Sequence, residues 1–401
     1  MNNIVPPEIP KRRLRIAVLS RVFKSTGGGA ERYSIALVEQ LAARHEMHVF
    51  AQQLEHQLPG VTYHRVRSSV KRPRWVNQLW FAFSTWRATR SGFDVVHSHE
   101  NTWHGQVQTV HVLPIKYALF FERAGLRLAL RWLKVVTSPR LLCYLLLEHF
   151  RFASQPGRTI VLASTTLQAY MAQTYPGSVP AMQVVTPGVA SVPGPATEVD
   201  KQAARQLLGL PLQGQCVLFV GNDYKKKGLP ALLKAMQTLP ADCYLAVVGN
   251  PAQIAGVREE VKASGMDQRI HFLGALGSVD VAYCAADCLA HPTLEDTFAM
   301  VVLEAMAHGL PVVVSAQKYC GIAGLLTDGN NALILQEPRD TAALAAALRR
   351  CLTNTPERER LVRAGCQFAS SHQWKDSARQ QENIYWRAFF GKQGKEVGAH
   401  Q

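Results

Sequence analysis

Apolar residues occur along the chain in short runs, separated by glycine turns and by stretches of helical spacing. The first run is Arg15-Ile-Ala-Val-Leu-Ser20, and Gly27-Gly28-Gly29 follows it. From Ala30 onward Tyr33, Leu37 and Leu41 fall four residues apart, the spacing of one helix face. Strand, glycine turn and helix in that order open a βαβ unit. Further strands are predicted at 48–51, 94–97, 107–111, 159–162 and 183–185, with helical stretches between several of them. That alternation predicts a parallel, doubly wound sheet.

The pattern restarts in the second half. Apolar runs predict strands at 216–220, 244–248, 270–273, 288–290, 311–314 and 332–335, with helices at 229–239 and 298–308. Between the halves lies ASVPGPATEVD, residues 190–200, a Pro/Gly/small-residue stretch typical of linkers. The expected architecture is α/β, with two Rossmann-like domains at 1–190 and 201–370 and a linker at 191–200. Residues 371–401 are expected to form a C-terminal helix returning to the N-terminal domain.

Composition supports packed domains: 47% of residues are hydrophobic and 18% charged. No run of eighteen apolar residues appears, so no bilayer-spanning helix is expected. The N-terminal region has only Ile16 to Leu19 as an apolar stretch, short of the roughly 7–15 residues of a secretory signal, so a cytoplasmic location is expected. Eight scattered cysteines without a CxxC pair are expected to be buried, reduced thiols. Charge is asymmetric: residues 1–200 carry 23 Lys+Arg against 11 Asp+Glu, whereas residues 201–401 carry 21 against 18. The first half therefore faces something anionic, whether nucleic acid, anionic lipid or a phosphorylated glycan.

In open α/β sheets, ligands collect at the carboxyl ends of strands, where helix N-termini supply amides. After the 216–220 strand comes Gly221-Asn-Asp-Tyr-Lys-Lys-Lys-Gly228, a lysine cluster suited to a diphosphate, with Lys226 and Lys227 the expected contacts. A solvated basic turn is the plainer alternative. Asp296 and Glu304 stand eight residues apart, about 12 Å of rise if both sit on one helix, so both carboxylates are expected to face one site. Glu304 lies in the apolar run from Met300 to Ala307 and needs a partner there. A helix-capping Asp296 with a salt-bridged Glu304 remains open at this level.

Pro292 to Pro311 resembles the E-x7-E signature of retaining GT-B glycosyltransferases of family 4. Lys227-Gly228 resembles that family's KG motif, Tyr244 to Gly249 its next strand and glycine, Val185-Thr-Pro-Gly-Val189 its PNGV segment, and Gly27 to Arg32 its N-terminal phosphate loop. The resemblance implies a GT-B fold, two domains facing a central cleft. It implies Glu304 on the donor ribose, Asp296 on the hydroxyls of the transferred sugar, and Lys227 with Lys226 on the diphosphate. Backbone at Thr297, Phe298, Ala299 and Met300 would line the sugar–phosphate site, and Gly28 and Gly29 would let backbone approach the phosphates. Thr109-Val110-His111 resembles the family's TVH turn, which implies His111 at the sugar. Four positions depart from the pattern: Asp296 replaces Glu, Ala299 a glycine, Asn222 an arginine and Gly324 a glutamate.

His97, His99, His104 and His111 invite a metal reading, but Glu100 is the one carboxylate near them in sequence, and a DxD-like pair is missing from the first half. By resemblance no metal and no cofactor are expected, and a nucleotide diphosphate sugar is the co-substrate. His111, Asp296 and Lys227 are the expected catalytic set.

Residues 116–152 hold Lys116, Arg123, Arg127, Arg131, Lys134, Arg140 and Arg151 against Glu122 and Glu148. Arg123, Arg127, Arg131 and Lys134 beside Leu126, Leu130 and Leu133 predict an amphipathic basic helix for an anionic inner-leaflet surface. Lys71, Arg72, Arg74, Arg87 and Arg90 among Trp75, Trp80, Phe81 and Trp86 add to it. A peripheral enzyme on the cytoplasmic face of the inner membrane is expected, with an anionic glycolipid or glycan acceptor and no nucleic-acid partner. Within the family, GGGAER and the YKKKG lysines look closest to lipopolysaccharide core α-glucosyltransferases. A GDP-mannose-type transferase, a nucleotide-sugar epimerase and a non-catalytic binding protein are the rival readings. A Rossmann dehydrogenase is disfavoured because the GxGxxG spacing is missing.

Overall fold

The computed structural model describes residues 12–24, 27–68, 72–121, 123–353 and 355–398. Lys71 and Glu122 lie outside the described residues. The chain divides into two compact units, one comprising the residues up to Thr186 together with those from Trp374 onward, the other Pro187–Gln373.

The first unit is built on a seven-stranded parallel sheet. Its strands are β1 (Arg15–Leu19), β3 (Glu46–Ala51), β5 (Val61–Arg65), β6 (Val95–Ser98), β7 (Val107–Val110), β8 (Thr159–Leu162) and β9 (Met182–Val184), in the order β5-β3-β1-β6-β7-β8-β9. Two-residue strands β2 (Val22–Phe23) and β4 (Gln53–Leu54) pair beside it. Its central strands are apolar on both faces because helices cover both, as in parallel sheets generally: Ile16, Ala17, Leu19, Val49 and Val95 are fully buried.

The second unit holds β10 (Gln215–Val220), β11 (Cys243–Val248), β12 (Ile270–Gly274), β13 (Cys288–His291), β14 (Val312–Ser315) and β15 (Leu333–Leu335). Their order is β12-β11-β10-β13-β14-β15, the Rossmann arrangement, with the order reversing between β10 and β13. One core runs through Phe219, Leu229, Leu245, Val313 and Leu348. Two glycines let the strand ends approach: a Cβ on Gly249, just past β11, would lie 1.9 Å from the Gly221 carbonyl oxygen, which follows β10.

Three expectations need correction. The linker is shorter than 191–200, because the helix Glu198–Leu208 starts inside it, with the Thr197 hydroxyl accepting from the Asp200 amide. The basic stretch is not one helix: it forms Ile115–Phe120, Gly125–Val136 and Pro139–Phe152. Thr137 ends the second and Ser138 caps the third, the Ser138 side chain accepting from the Leu141 amide, with Pro139 at the first helical position. Arg123 therefore sits before the Gly125–Val136 helix rather than on its stripe, and donates to the Leu119 carbonyl at 2.7 Å. Arg151 and Phe81 belong to the interior, at 7% and 0% exposure.

Among the described residues, no helix is long and apolar enough to cross a membrane. Of the eight cysteines, none is in a disulfide; five are buried and three partly so.

Candidate active site

The loop after β10 and the loop after β13 flank the point where the strand order of the second unit reverses. They are stitched together: the Leu294 amide donates to the Lys226 carbonyl at 2.8 Å, and the Thr293 hydroxyl reaches the same oxygen at 3.3 Å. Gly228 has φ +83, and a Cβ there would fall 1.9 Å from the Pro292 carbonyl oxygen, so only glycine permits this approach.

The stitch places the lysines against the carboxylates of the facing loop. Lys227 Nζ lies 2.5 Å from Asp296 Oδ2 and 3.2 Å from the Glu295 carbonyl oxygen. Lys226 Nζ pairs with Glu295 Oε1 at 2.5 Å in a more exposed position. Asp296 Oδ2 also accepts from His291 Nε2 at 3.2 Å, and Oδ1 accepts the amides of Phe298 and Ala299 at 3.2 and 2.8 Å. Burial alone would raise the Asp296 carboxyl, but the hydrogen bond from His291 and the Lys227 charge hold it well below the usual carboxylate range. Burial lowers the His291 imidazole, partly offset by Asp296, so the ring is neutral.

The helix after this loop begins at Met300, not Phe298, and ends at Ala307. Asp296 is therefore a loop residue, and the 12 Å rise expected for a shared helix does not apply. Thr297, Phe298 and Ala299 connect the loop to the helix, and the Phe298 and Ala299 amides expected to line a ligand site are taken by Asp296 itself. Ala299 adopts φ +73, the left-handed region where an L side chain is strained.

Glu304 projects from the middle of Met300–Ala307 and receives the hydroxyl of Tyr283 on Oε2 at 2.8 Å. Tyr283 is 1% exposed and comes from the helix Asp280–Ala285, with the His308 ring 5.1 Å away. Glu304 is thus half-buried and accepts from the Tyr283 hydroxyl. His291 and Tyr283 were missed by the sequence reading. His291 carried a signal, as the last residue of an apolar run ahead of Pro292; Tyr283 carried none.

In the first unit, Gly28 caps the helix Gly29–Leu41 with ordinary extended backbone. The tightest glycine is Gly27, where a Cβ would lie 2.8 Å from Glu31 Cβ and 2.9 Å from the Lys24 carbonyl oxygen. The histidines gather across β6 and β7. His97 bridges the Tyr385 hydroxyl at 2.7 Å and the Thr109 hydroxyl at 2.6 Å, and His99 Nδ1 meets His111 Nε2 at 2.9 Å. His111 packs against the ring of Tyr33 at 5.1 Å. Burial, and then the charge of nearby Arg151, pushes His111 down to about 3, so its ring is neutral. His104 stands apart, lowered to about 4 by burial and then by the charge of Arg158. Among the described residues, no group of three or more His, Cys, Asp or Glu is arranged to hold a metal ion.

Family models match both halves: "Glycosyltransferase Family 4" over residues 27–190 and "Glycosyl transferases group 1" over residues 200–368. The chain belongs to the group 1 (family 4) glycosyltransferases. It is 32% identical over 165 residues to the lipopolysaccharide glucosyltransferase WaaG of Escherichia coli (strain K12), covering 40% of this chain and 43% of that protein. It is 27% identical over 223 residues to the D-inositol 3-phosphate glycosyltransferase of Corynebacterium diphtheriae, covering 53% of this chain and 52% of the relative. The chain thus aligns with about half the length of these curated relatives. Among solved glycosyltransferases, a WaaG crystal structure superposes with a TM-score of 0.78 at 22% identity, covering 92% of this chain and 99% of that one. Anabaena HepE, solved with UDP and glucose, superposes with a TM-score of 0.72 at 18% identity, covering 92% and 98%. These likenesses establish the two-domain GT-B fold.

Proposed function

We propose that the chain is a retaining hexosyltransferase. It would take a UDP-glucose-like donor and transfer the sugar to a membrane-associated glycan, the lipopolysaccharide core, at the cytoplasmic face of the inner membrane. The observation that carries this reading is the Lys227 ammonium, fixed at the strand-order reversal of the second unit with Glu304 on the helix that follows. The names of WaaG, a lipopolysaccharide glucosyltransferase, and of HepE, solved with UDP and glucose, support the donor and acceptor.

The barrier in such a transfer is the charge left on the departing nucleoside diphosphate. Preorganised cations and amides lower it most when they need not reorganise during reaction. Lys227 and Lys226 supply that charge and Glu304 clasps the ribose diol. The bond from the anomeric carbon to the β-phosphate oxygen breaks, and the acceptor oxygen forms its bond on the same face. The acceptor proton passes to the departing phosphate oxygen. Within the first unit, His111, neutral and hydrogen-bonded to His99, is the residue proposed to contact a sugar. No metal is needed in this scheme.

Lys227→Ala and Glu304→Ala are each expected to cut turnover by about 10²–10³-fold with EDTA present, while circular dichroism stays unchanged. The assay screens UDP- and GDP-sugars for donor hydrolysis and for transfer to truncated core glycolipid. Wild-type rates in both variants would overturn the assignment. A second reading is a GDP-mannose-type transfer to a lipid-linked acceptor. It draws support from a 32% identical relative over 213 residues, the phosphatidyl-myo-inositol mannosyltransferase of Mycobacterium leprae, and transfer from GDP-mannose alone would select it.

A further inference from the structure

We propose that Asp296 acts through Lys227 as a positioning residue and does not bind the hydroxyls of the transferred sugar. The inference rests on reading this site as one for a nucleoside diphosphate sugar. A carboxylate has two oxygens and about four lone-pair positions. In Asp296 each oxygen already accepts twice from within the chain: Oδ1 from the amides of Phe298 and Ala299, Oδ2 from Lys227 Nζ and His291 Nε2. A sugar hydroxyl would have to displace one of these donors, and each displaced donor would need a new partner in a site only 16% exposed at this side chain.

The geometry follows from side-chain length. Aspartate keeps its carboxylate close to its own backbone, within reach of the amides two and three residues ahead. Glutamate, one methylene longer, would carry the carboxylate past them. The backbone is tied down as well: the Asp296 amide donates to the Tyr319 carbonyl at 2.7 Å, and the Gly321 amide donates to the Asp296 carbonyl at 2.9 Å. His291 completes the arrangement. A carboxylate only accepts, so His291 Nε2 carries the proton, and its Nδ1 is buried with no hydrogen-bond partner. The unit His291–Asp296–Lys227 thus aims one ammonium and presents no free carboxylate oxygen.

The test is calorimetric and kinetic, on the full chain, with UDP, UMP, GDP and UDP-glucose as probes. Loss of anchoring and loss of the opposing charge act in opposite senses on a diphosphate, so the size of the shift is not the diagnostic. Asp296→Asn is expected to shift the affinities for UDP and UDP-glucose by a common factor, their ratio staying within about twofold of wild type. UMP affinity is expected to be unchanged, the UDP shift to vanish in a Lys227→Ala background, and kcat to fall at least about tenfold because the leaving group loses a fixed cation. His291→Gln, which keeps a donor, serves as the second variant and is expected to shift UDP and UDP-glucose by one factor as well. A selective loss of UDP-glucose against UDP would make Asp296 a sugar ligand and overturn the proposal. So would a fall in UMP affinity equal to that for UDP, or a shift that persists without Lys227. If wild type binds neither UDP nor GDP, the donor-site reading itself fails and this inference falls with it.

Discussion

Ala299 adopts φ +73 at 4% exposure, directly before the helix that carries Glu304. An L-residue in this region pays roughly 1–2 kcal/mol, because its Cβ crowds the following carbonyl. Glycine removes that term and adds back a smaller one for its freer unfolded chain. Ala299→Gly is therefore expected to stabilise the second unit by about 1 kcal/mol, read as a rise of roughly 2–4 °C in its thermal midpoint. An unchanged or lowered midpoint would show that the surrounding hydrogen bonds, not the side chain, set this conformation. At this scale the sequence disclosed the chemistry better than the geometry. Lys227 and Asp296 were legible as types just past strand ends, and Glu304 as a carboxylate inside an apolar helical run. The partners that define their work were less so: Tyr283 reaches Glu304 from 21 residues away with no signal, and the one signal at His291 was its place at the end of an apolar run ahead of Pro292.

The helix Gly125–Val136 turns its apolar side outward. Leu126, Leu130, Trp132, Leu133 and Val136 are all at least half exposed, and Val135 is its one buried residue. Arg127 and Lys134 are exposed on the same helix. Outward leucines beside cations fit the interface of an anionic membrane better than a packed core. Cosedimentation with anionic vesicles at low salt is expected, weakening as salt screens the charges. The pair Arg127→Glu and Lys134→Glu is expected to weaken binding at least about tenfold, since each cation near such a surface is worth about 1 kcal/mol. Equal pelleting of wild type and variant would remove the membrane role. The element boundaries were only partly readable. Apolar runs such as those of β1, β8 and β10 stood out because both faces are covered, whereas β5, Val-Thr-Tyr-His-Arg at the sheet edge, has no apolar run to find. The continuous leucine and arginine pattern through 116–152 hid two helix breaks, although Ser138-Pro139 marked one of them.

The linear chain leaves the first unit at Thr186 and returns to it at Trp374. The returning helix, Trp374–Gly398, has little amphipathic pattern along its length, so although its return to the N-terminal domain was expected, the residues it meets there were not legible in it. Its contacts nonetheless complete the first unit's core. Trp374, Ile384, Tyr385 and Trp386 are at most 6% exposed. The Trp374 ring packs edge-on to Tyr33 at 5.3 Å, and the Tyr385 hydroxyl meets His97 at 2.7 Å. Glu382 bonds the buried His45 at 2.9 Å and pairs with Arg44 at 2.6 Å. Removing a buried aromatic side chain costs about 3–5 kcal/mol. Losing several at once is comparable to the roughly 5–15 kcal/mol that holds a typical domain together. A chain ending at Gln373 is therefore expected to lose the cooperative thermal transition of its first unit while keeping that of the second, whose core through Phe219 and Leu245 receives nothing from this helix. Calorimetry paired with limited proteolysis resolves the two: cuts should spread through residues 12–186 and spare 200–370. Retention of both transitions would mean that the Rossmann sheet of the first unit closes its core without the returning helix.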